Sequence, residues 1–166
     1  MICFAQPTDL PAVGRVEVAA ATVFDGTQMD FAANDAPNDP AELLAAIGAQ
    51  LMCVAIEASQ PIGFVFAKPC AEGLYVRELS VAAPHRQQGH GSKLIQTLIA
   101  AARRRGHQQL ILTTDRGLPW NAPFYKRLWF KIIKGAAIPA TARNRLQPQF
   151  VAGFDRAHRC AMVMPL

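Results

Sequence analysis

Glu78-Leu79-Ser80-Val81-Ala82-Ala83-Pro84-His85-Arg86-Gln87-Gln88-Gly89-His90-Gly91-Ser92-Lys93-Leu94 decides the fold. It opens as a strand: Leu74, Val76 and Val81 are strand formers, and Pro84 stops the run. It closes as a helix. Leu94, Ile95, Leu98, Ile99 and Ala102 fall at helical spacing, Arg103, Arg104 and Arg105 fill the last turn, and Gly106 lies just past it. Between the two, Gly89 and Gly91 let the backbone turn and present successive N–H groups. The helix adds its own free N–H groups and the positive end of its dipole, so the combination suits a phosphate or pyrophosphate. A dinucleotide fingerprint needs a third glycine where Leu94 stands. A P-loop needs glycine in place of Arg86 and Lys before Ser at positions 92 and 93.

What remains, Arg86-x-x-Gly89-x-Gly91 between a strand and an amphipathic helix, resembles the acetyl-CoA pyrophosphate loop of the GNAT N-acetyltransferase superfamily. Downstream, Asn121-Ala122-Pro123-Phe124-Tyr125-Lys126-Arg127-Leu128-Trp129-Phe130 is similar to that family's Asn-x-x-Phe-Tyr-x-x-x-Gly-Phe stretch, with Trp129 where the family usually has glycine. The motif resemblance covers residues 62–133; elsewhere only element order matches.

The resemblance implies an α/β fold with a mixed, mostly antiparallel central sheet flanked by helices. It implies acetyl-CoA as acetyl donor, no metal, and transfer to a primary amine by direct attack in a ternary complex. Arg86, Gln87, Gln88, Gly89, His90, Gly91 and Ser92 would bind pyrophosphate, mainly through N–H groups. Leu79, Ser80 and Val81 would offer backbone groups to the pantetheine amides, and Asn121 and Phe124 would flank the CoA arm. Tyr125 would give a proton to the CoA sulfur; phenols are protonated at pH 7. Glu78 would act as base, often through water.

Each residue has a second, structural reading. Tyr125 can pin its helix to the sheet, and Asn121 can cap that helix. Glu78 can face water paired with Arg77 or Lys68. Leu79 and Val81 can bury their side chains, Ser92 can cap the third helix, and Arg103–Arg105 match a C-terminal dipole. Trp129 in place of glycine is expected to alter the corner after Tyr125.

At 166 residues the chain is expected to be one domain, residues 1–166. It is 51% hydrophobic and 17% charged, which excludes a disordered chain. No apolar run approaches the ~18 residues of a membrane span. The N-terminus lacks the basic and apolar regions of a signal peptide, so a cytoplasmic protein is expected. Cys3, Cys53, Cys70 and Cys160 are scattered and read as reduced thiols; the four histidines show no metal spacing.

The net charge of +5 hides a division. Residues 1–67 hold Arg15 against eight acids, whereas residues 68–166 hold sixteen bases and only Glu72, Glu78, Asp115 and Asp155. A basic half could bind nucleic acid, but no RNA motif or recognition-helix pattern accompanies it. A CoA-binding regulatory module without turnover is the other rival reading. Dimers are common in the family, so the resemblance allows a homodimer.

Along the chain, Ile2–Ala5 forms a strand, and Thr8 or Asp9 caps a helix reaching Asp25-Gly26. Residues 27–38 form a loop. Asp39-Pro40-Ala41-Glu42 opens a second helix to about Gly48. Residues 51–56 and 62–67 make a hairpin across Ser59-Gln60-Pro61, and residues 109–114 a later strand. Residues 129–133 and 159–164 are the last strands, and the stretch between them carries no assignable element. The resemblance implies that the acceptor side falls on the N-terminal helices and their loop. There Phe24, Met29 and Phe31 lie among Asp25, Asp30, Asp35 and Asp39, and these point to a cationic amine with an apolar portion.

Overall fold

The computed structural model describes residues 1–27, 37–151 and 155–166. Contacts divide the chain into two compact units: Met1–Lys68 with Arg77–Ala102, and Pro69–Val76 with Arg103–Leu166.

In the first unit, β1 (Ile2–Phe4) pairs antiparallel with β2 (Met52–Glu57), and β2 with β3 (Gln60–Cys70). The hairpin turn is Ala58-Ser59, one residue earlier than expected, with both residues at positive φ (45° and 61°). That is the twist a two-residue hairpin demands, here taken without glycine. Pro61 is thereby drawn into β3 opposite Ile56, where the register shifts. Helix α1 (Leu10–Ala21) follows a 3-10 turn at Pro7–Asp9 and runs into another at Thr22–Phe24. Asp9 folds back to accept from the N–H of Gln6 at 2.8 Å. Helix α2 (Pro40–Gly48) starts as expected: Asp39 Oδ1 accepts the Ala41 N–H at 2.9 Å and Pro40 occupies the first turn. Val13, Val16, Leu43, Ala46, Met52, Val54, Phe64 and Phe66 pack as one apolar core.

Strand β4 (Gly73–Val81) begins in the second unit and ends in the first. Helix α3 (His90–Arg104) buries Leu94, Ile95, Leu98, Ala101 and Ala102, the stripe that the helical spacing predicts, with Ile99 half-buried beside it.

In the second unit, β4 pairs parallel with β5 (Gln109–Asp115) at Leu74–Leu110 and Tyr75–Ile111. Strand β7 (Arg159–Pro165) pairs antiparallel with β5 on one side and with β6 (Lys131–Ile133) on the other. Helix α4 (Ala122–Arg127) precedes β6. Helix α5 (Ala140–Val151) fills the stretch that the sequence left unassigned. Its apolar set is thin, Ala142, Leu146 and half-buried Phe150, yet the three stand four residues apart and pack on Tyr75, Ile111, Ala161 and Val163. Pro148 sits in the last turn, where it forfeits only the hydrogen bond to the exposed residue 144. With mostly antiparallel pairing and helices beside the strands, the fold is the expected mixed α/β class. Among the described residues, no helix is long and apolar enough to cross a membrane.

Candidate active site

The strand–loop–helix of residues 78–92 lies in the first unit. After β4, Ala83–His85 makes a 3-10 turn. Gln87 (φ 61°) and Gly89 (φ 82°) then take the left-handed conformation and reverse the chain into α3. A Cβ at Gly89 would meet no atom within 4 Å, so glycine is present there for its backbone freedom. Among the described residues, the N–H groups of residues 87–92 bond to no protein acceptor; the first helical bond runs from Lys93 N–H to Gly89 O at 3.1 Å. Six such donors at the start of a fifteen-residue helix are an arrangement suited to an anion.

The loop's side chains are turned to other work. The Arg86 guanidinium donates through Nη2 to the carbonyls of Ala20 (2.7 Å) and Ala19 (3.3 Å), closing the C-terminus of α1. Burial pulls its pKa down, and the charge of Asp25 partly offsets that. The Arg86 N–H itself bonds to Ala83 O at 3.4 Å, so this residue contributes no free donor. His85 Nδ1 lies 2.8 Å from Glu57 Oε2, and Gln88 Nε2 donates to Pro84 O at 3.1 Å. His90 opens α3, which puts Ser92 inside the first turn rather than at the cap.

Glu78 lies at the far end of β4. The structure does not pair it with Arg77 or Lys68; both cations go to Glu42, at 3.2 and 2.7 Å. The Lys68 hydrogen bond lowers the pKa of Glu42, and Arg77 adds to that. Glu78 receives neutral donors instead. Ser80 Oγ donates to Oε1 at 2.5 Å, and Asn38 Nδ2 donates to Oε2. Asn38 also donates to Glu17 Oε1 from Nδ2 (2.7 Å) and from its backbone N–H (2.9 Å), so one amide bridges two carboxylates. Burial pushes the pKa of Glu78 up; Ser80 and Asn38 pull it down, and the Glu17 charge pushes it further up. A buried carboxyl with a raised pKa is suited to proton transfer. Sequence reading missed Glu17 and Asn38. Glu17 shows only as an acid on a helix, and Asn38 as a loop residue 40 positions from its partner. Leu79 and Val81, whose side chains were expected in the core, are half-buried; full burial on β4 covers Leu74, Tyr75 and Val76 and stops before Arg77.

Asn121, Phe124 and Tyr125 stand in the second unit. Asn121 takes the N-cap position of α4, but its side chain makes no cap bond; only its carbonyl joins the helix, accepting from Tyr125 N–H at 3.1 Å. Tyr125 is 9% exposed. Its ring meets Phe124 edge-on at 5.0 Å and Phe130 at 5.5 Å. The corner that Trp129 was expected to alter is kept. Phe130 N–H bonds to Tyr125 O (3.1 Å) and Trp129 N–H to Lys126 O (3.0 Å), the Schellman pattern. Trp129 takes the left-handed conformation itself (φ 70°), and its ring stands out at 83% exposure. Of the acceptor-side residues, Phe24 is half-buried at the end of its 3-10 turn, Asp39 is a helix cap, and Phe31 lies outside the described residues with Met29, Asp30 and Asp35. Among the described residues, no group of three or more His, Cys, Asp or Glu could hold a metal ion.

Solved structures share this fold. The ribosomal-protein-alanine N-acetyltransferase from Brucella melitensis is similar over 100% of this chain and 99% of its own, at TM-score 0.70 and 19% identity. The ribosomal-protein-S18-alanine N-acetyltransferase from Escherichia coli is similar over 99% of this chain and 92% of its own, at TM-score 0.66 and 17% identity. The PaiA N-acetyltransferase from Thermoplasma acidophilum, in complex with coenzyme A, is similar over 100% and 98%, at TM-score 0.69 and 14% identity. A model of the acetyltransferase (GNAT) family matches residues 21–130, a span that holds both the phosphate-type loop and the Asn121–Phe130 segment. With that match running over well more than half of its length, the chain belongs to the GNAT acetyltransferase family.

Proposed function

We propose that the protein transfers the acetyl group of acetyl-CoA to a primary amine by direct attack. The observation that carries this reading is the run of six unbonded N–H groups at residues 87–92. A pyrophosphate offers anionic oxygens to such a run without needing a side chain. The uncommitted Asn121 side chain and the Phe124 ring are assigned to the CoA arm, and the backbone of Leu79, Ser80 and Val81 to the pantetheine amides.

Glu78 takes the proton that an ammonium must lose before its nitrogen can attack the thioester carbonyl. Its raised pKa and its two neutral donors support that role. As the carbon–nitrogen bond forms and the carbon–sulfur bond breaks, Tyr125 gives its phenolic proton to the leaving sulfur, and the second proton shed by the acylated nitrogen restores the phenol; the products are the N-acetyl amine and free CoA thiol. Positioning does much of the remaining work, because the thioester is already activated. The acceptor is assigned as a cationic amine, on the strength of the Glu17–Asn38–Glu78 arrangement, in which two carboxylates share one neutral amide while Arg77 is paired with Glu42.

Thiol release from acetyl-CoA, measured with a panel of amines, peptides and polyamines, tests the reading. We expect release that depends on the acceptor and falls at least tenfold in kcat for Tyr125→Phe, about 1.4 kcal/mol of transition-state stabilisation. Acetyl-CoA binding without release for any acceptor would favour a regulatory module. Absence of acetyl-CoA binding would overturn the loop assignment.

A further inference from the structure

We propose that a cavity in the second unit, remote in sequence from the loop of residues 83–92, binds a small organic anion: a carboxylate or a phosphate monoester carrying an apolar group. The cavity encloses about 310 Å³ between α5, β6 and the start of β7. Its apolar wall is Ile133, Ile138, Leu146 and Phe150, and its charged lining is Arg116, Lys134, Arg143, Arg156 and Arg159. No acid lines it.

The four arginines are held in place by backbone, ring and side-chain contacts. Arg143 Nη2 donates to Ile138 O at 3.0 Å and Ala136 O at 3.4 Å, and Arg116 Nη2 donates to Arg159 O at 3.4 Å. The Arg156 guanidinium lies 4.4 Å from the centre of the Phe150 ring. Arg159, at the base, is 9% exposed, and its Nε donates to Gln149 Oε1 at 3.0 Å. Gln149 in turn donates to Thr113 Oγ1 (3.3 Å), which shares a proton with the Tyr75 hydroxyl (2.7 Å). Among the described residues, Arg116, Lys134, Arg143 and Arg156 have no carboxylate within ion-pair distance. Of the nearby acids, Asp115 acts on Arg159 through its charge and Asp155 stands 3.8 Å from His158, and both accept backbone N–H groups. Asp115 Oδ1 accepts the N–H groups of Gly117 (2.7 Å) and Leu118 (3.0 Å), and Asp155 Oδ1 accepts that of Ala157 (2.7 Å).

Like charges gathered round a concave apolar wall repel one another, and the wall focuses their field on the space between them. An anion there relieves the repulsion, and guanidinium forks match carboxylate and phosphate oxygens in pairs. The volume is at the low end of ligand pockets, about 300–1,000 Å³, which favours a small molecule over an extended polyanion. None of these cations belongs to the phosphate-type loop, so that loop does not account for the charge of this half of the chain.

Titration calorimetry on the full chain at low salt tests the site with phenylacetate, phenyl phosphate, phenylacetamide and a single-stranded oligonucleotide. The two aromatic anions are expected to bind at least tenfold more tightly than the neutral amide. Lys134→Gln with Arg156→Gln is expected to weaken them at least tenfold while Tm and acetyl-CoA turnover stay unchanged. That unchanged turnover separates this site from the acetyl-transfer reading. Equal binding of the amide, anion binding indifferent to the double substitution, or no saturation by about 10 mM would each overturn the proposal. So would tighter oligonucleotide binding through the same residues, which would mark a nucleic-acid surface instead.

Discussion

In the loop of residues 83–92, the side chains of His85, Arg86 and Gln88 are bound to protein, whereas the N–H groups of residues 87–92 are not. Around α4 the emphasis falls on side chains. The main chain closes the helix through Tyr125 N–H to Asn121 O and Phe130 N–H to Tyr125 O, while the Asn121 side chain is left without a cap bond and the exposed Trp129 ring stands out. The comparison separates two ways of presenting chemistry. A backbone cradle depends on φ at a few positions and little on which side chains flank it. A side-chain site depends on how rings pack beneath it.

The largest expected effect belongs to the strand that leads into the loop, where one side chain carries proposed chemistry. Glu78→Gln should lower kcat about 100-fold or more, the size of a lost general base. The wild-type rate should rise with pH through an apparent pKa above the ordinary carboxylate range, and the variant should lose that limb. Stability gives an independent check. Because burial raises the Glu78 pKa in the folded state, the folded protein holds that proton to higher pH than the unfolded chain does. The native state therefore loses stability as pH rises from the unfolded value through the folded one. Glu78→Gln removes this loss, so its Tm relative to wild type should grow as pH is raised. A Tm difference independent of pH would show that Glu78 is not desolvated as described.

Arg86→Met tests whether the loop's side chain and main chain have separate roles. Losing the guanidinium bonds to Ala19 and Ala20 should cost about 1 kcal/mol, read as a lower denaturation midpoint. The KM for acetyl-CoA should stay within about twofold, less than 0.5 kcal/mol. A tenfold rise in KM at unchanged stability would break the comparison by putting Arg86 on the phosphate. The smallest effect belongs to the second region. Trp129→Gly should raise stability by up to about 1 kcal/mol, because glycine accepts the left-handed conformation without a Cβ penalty and the ring gives up little burial. A loss of stability would show that the tryptophan ring contributes more packing than its exposure suggests.

Both motifs were legible in the sequence because they are local. Glycine spacing, a strand ended by proline, an apolar stripe and a capping Asp39 are each decided within a few residues. The α5 helix was harder to see, since only Ala142, Leu146 and Phe150 mark its buried face and Pro148 argues against a helix. The corner at Trp129 misled for a related reason. A glycine preference is a matter of about 1 kcal/mol, and the paired carbonyls of Tyr125 and Lys126 hold the turn without it.

Residue order alone determined the strands and the helices other than α5, their succession and the two segments that mark the family, because propensity, periodicity and backbone freedom act between near neighbours. Only the tertiary structure decided what surrounds each charge. It paired Lys68 and Arg77 with Glu42 and left Glu78 buried against an amide and a hydroxyl, with the opposed charges of Glu17 and Arg77 acting on it. It sent Arg86 to carbonyls 66 and 67 residues away, and gathered five bases round one cavity. Solvation and Coulomb energy depend on distance and burial in space, which residue spacing along the chain does not specify.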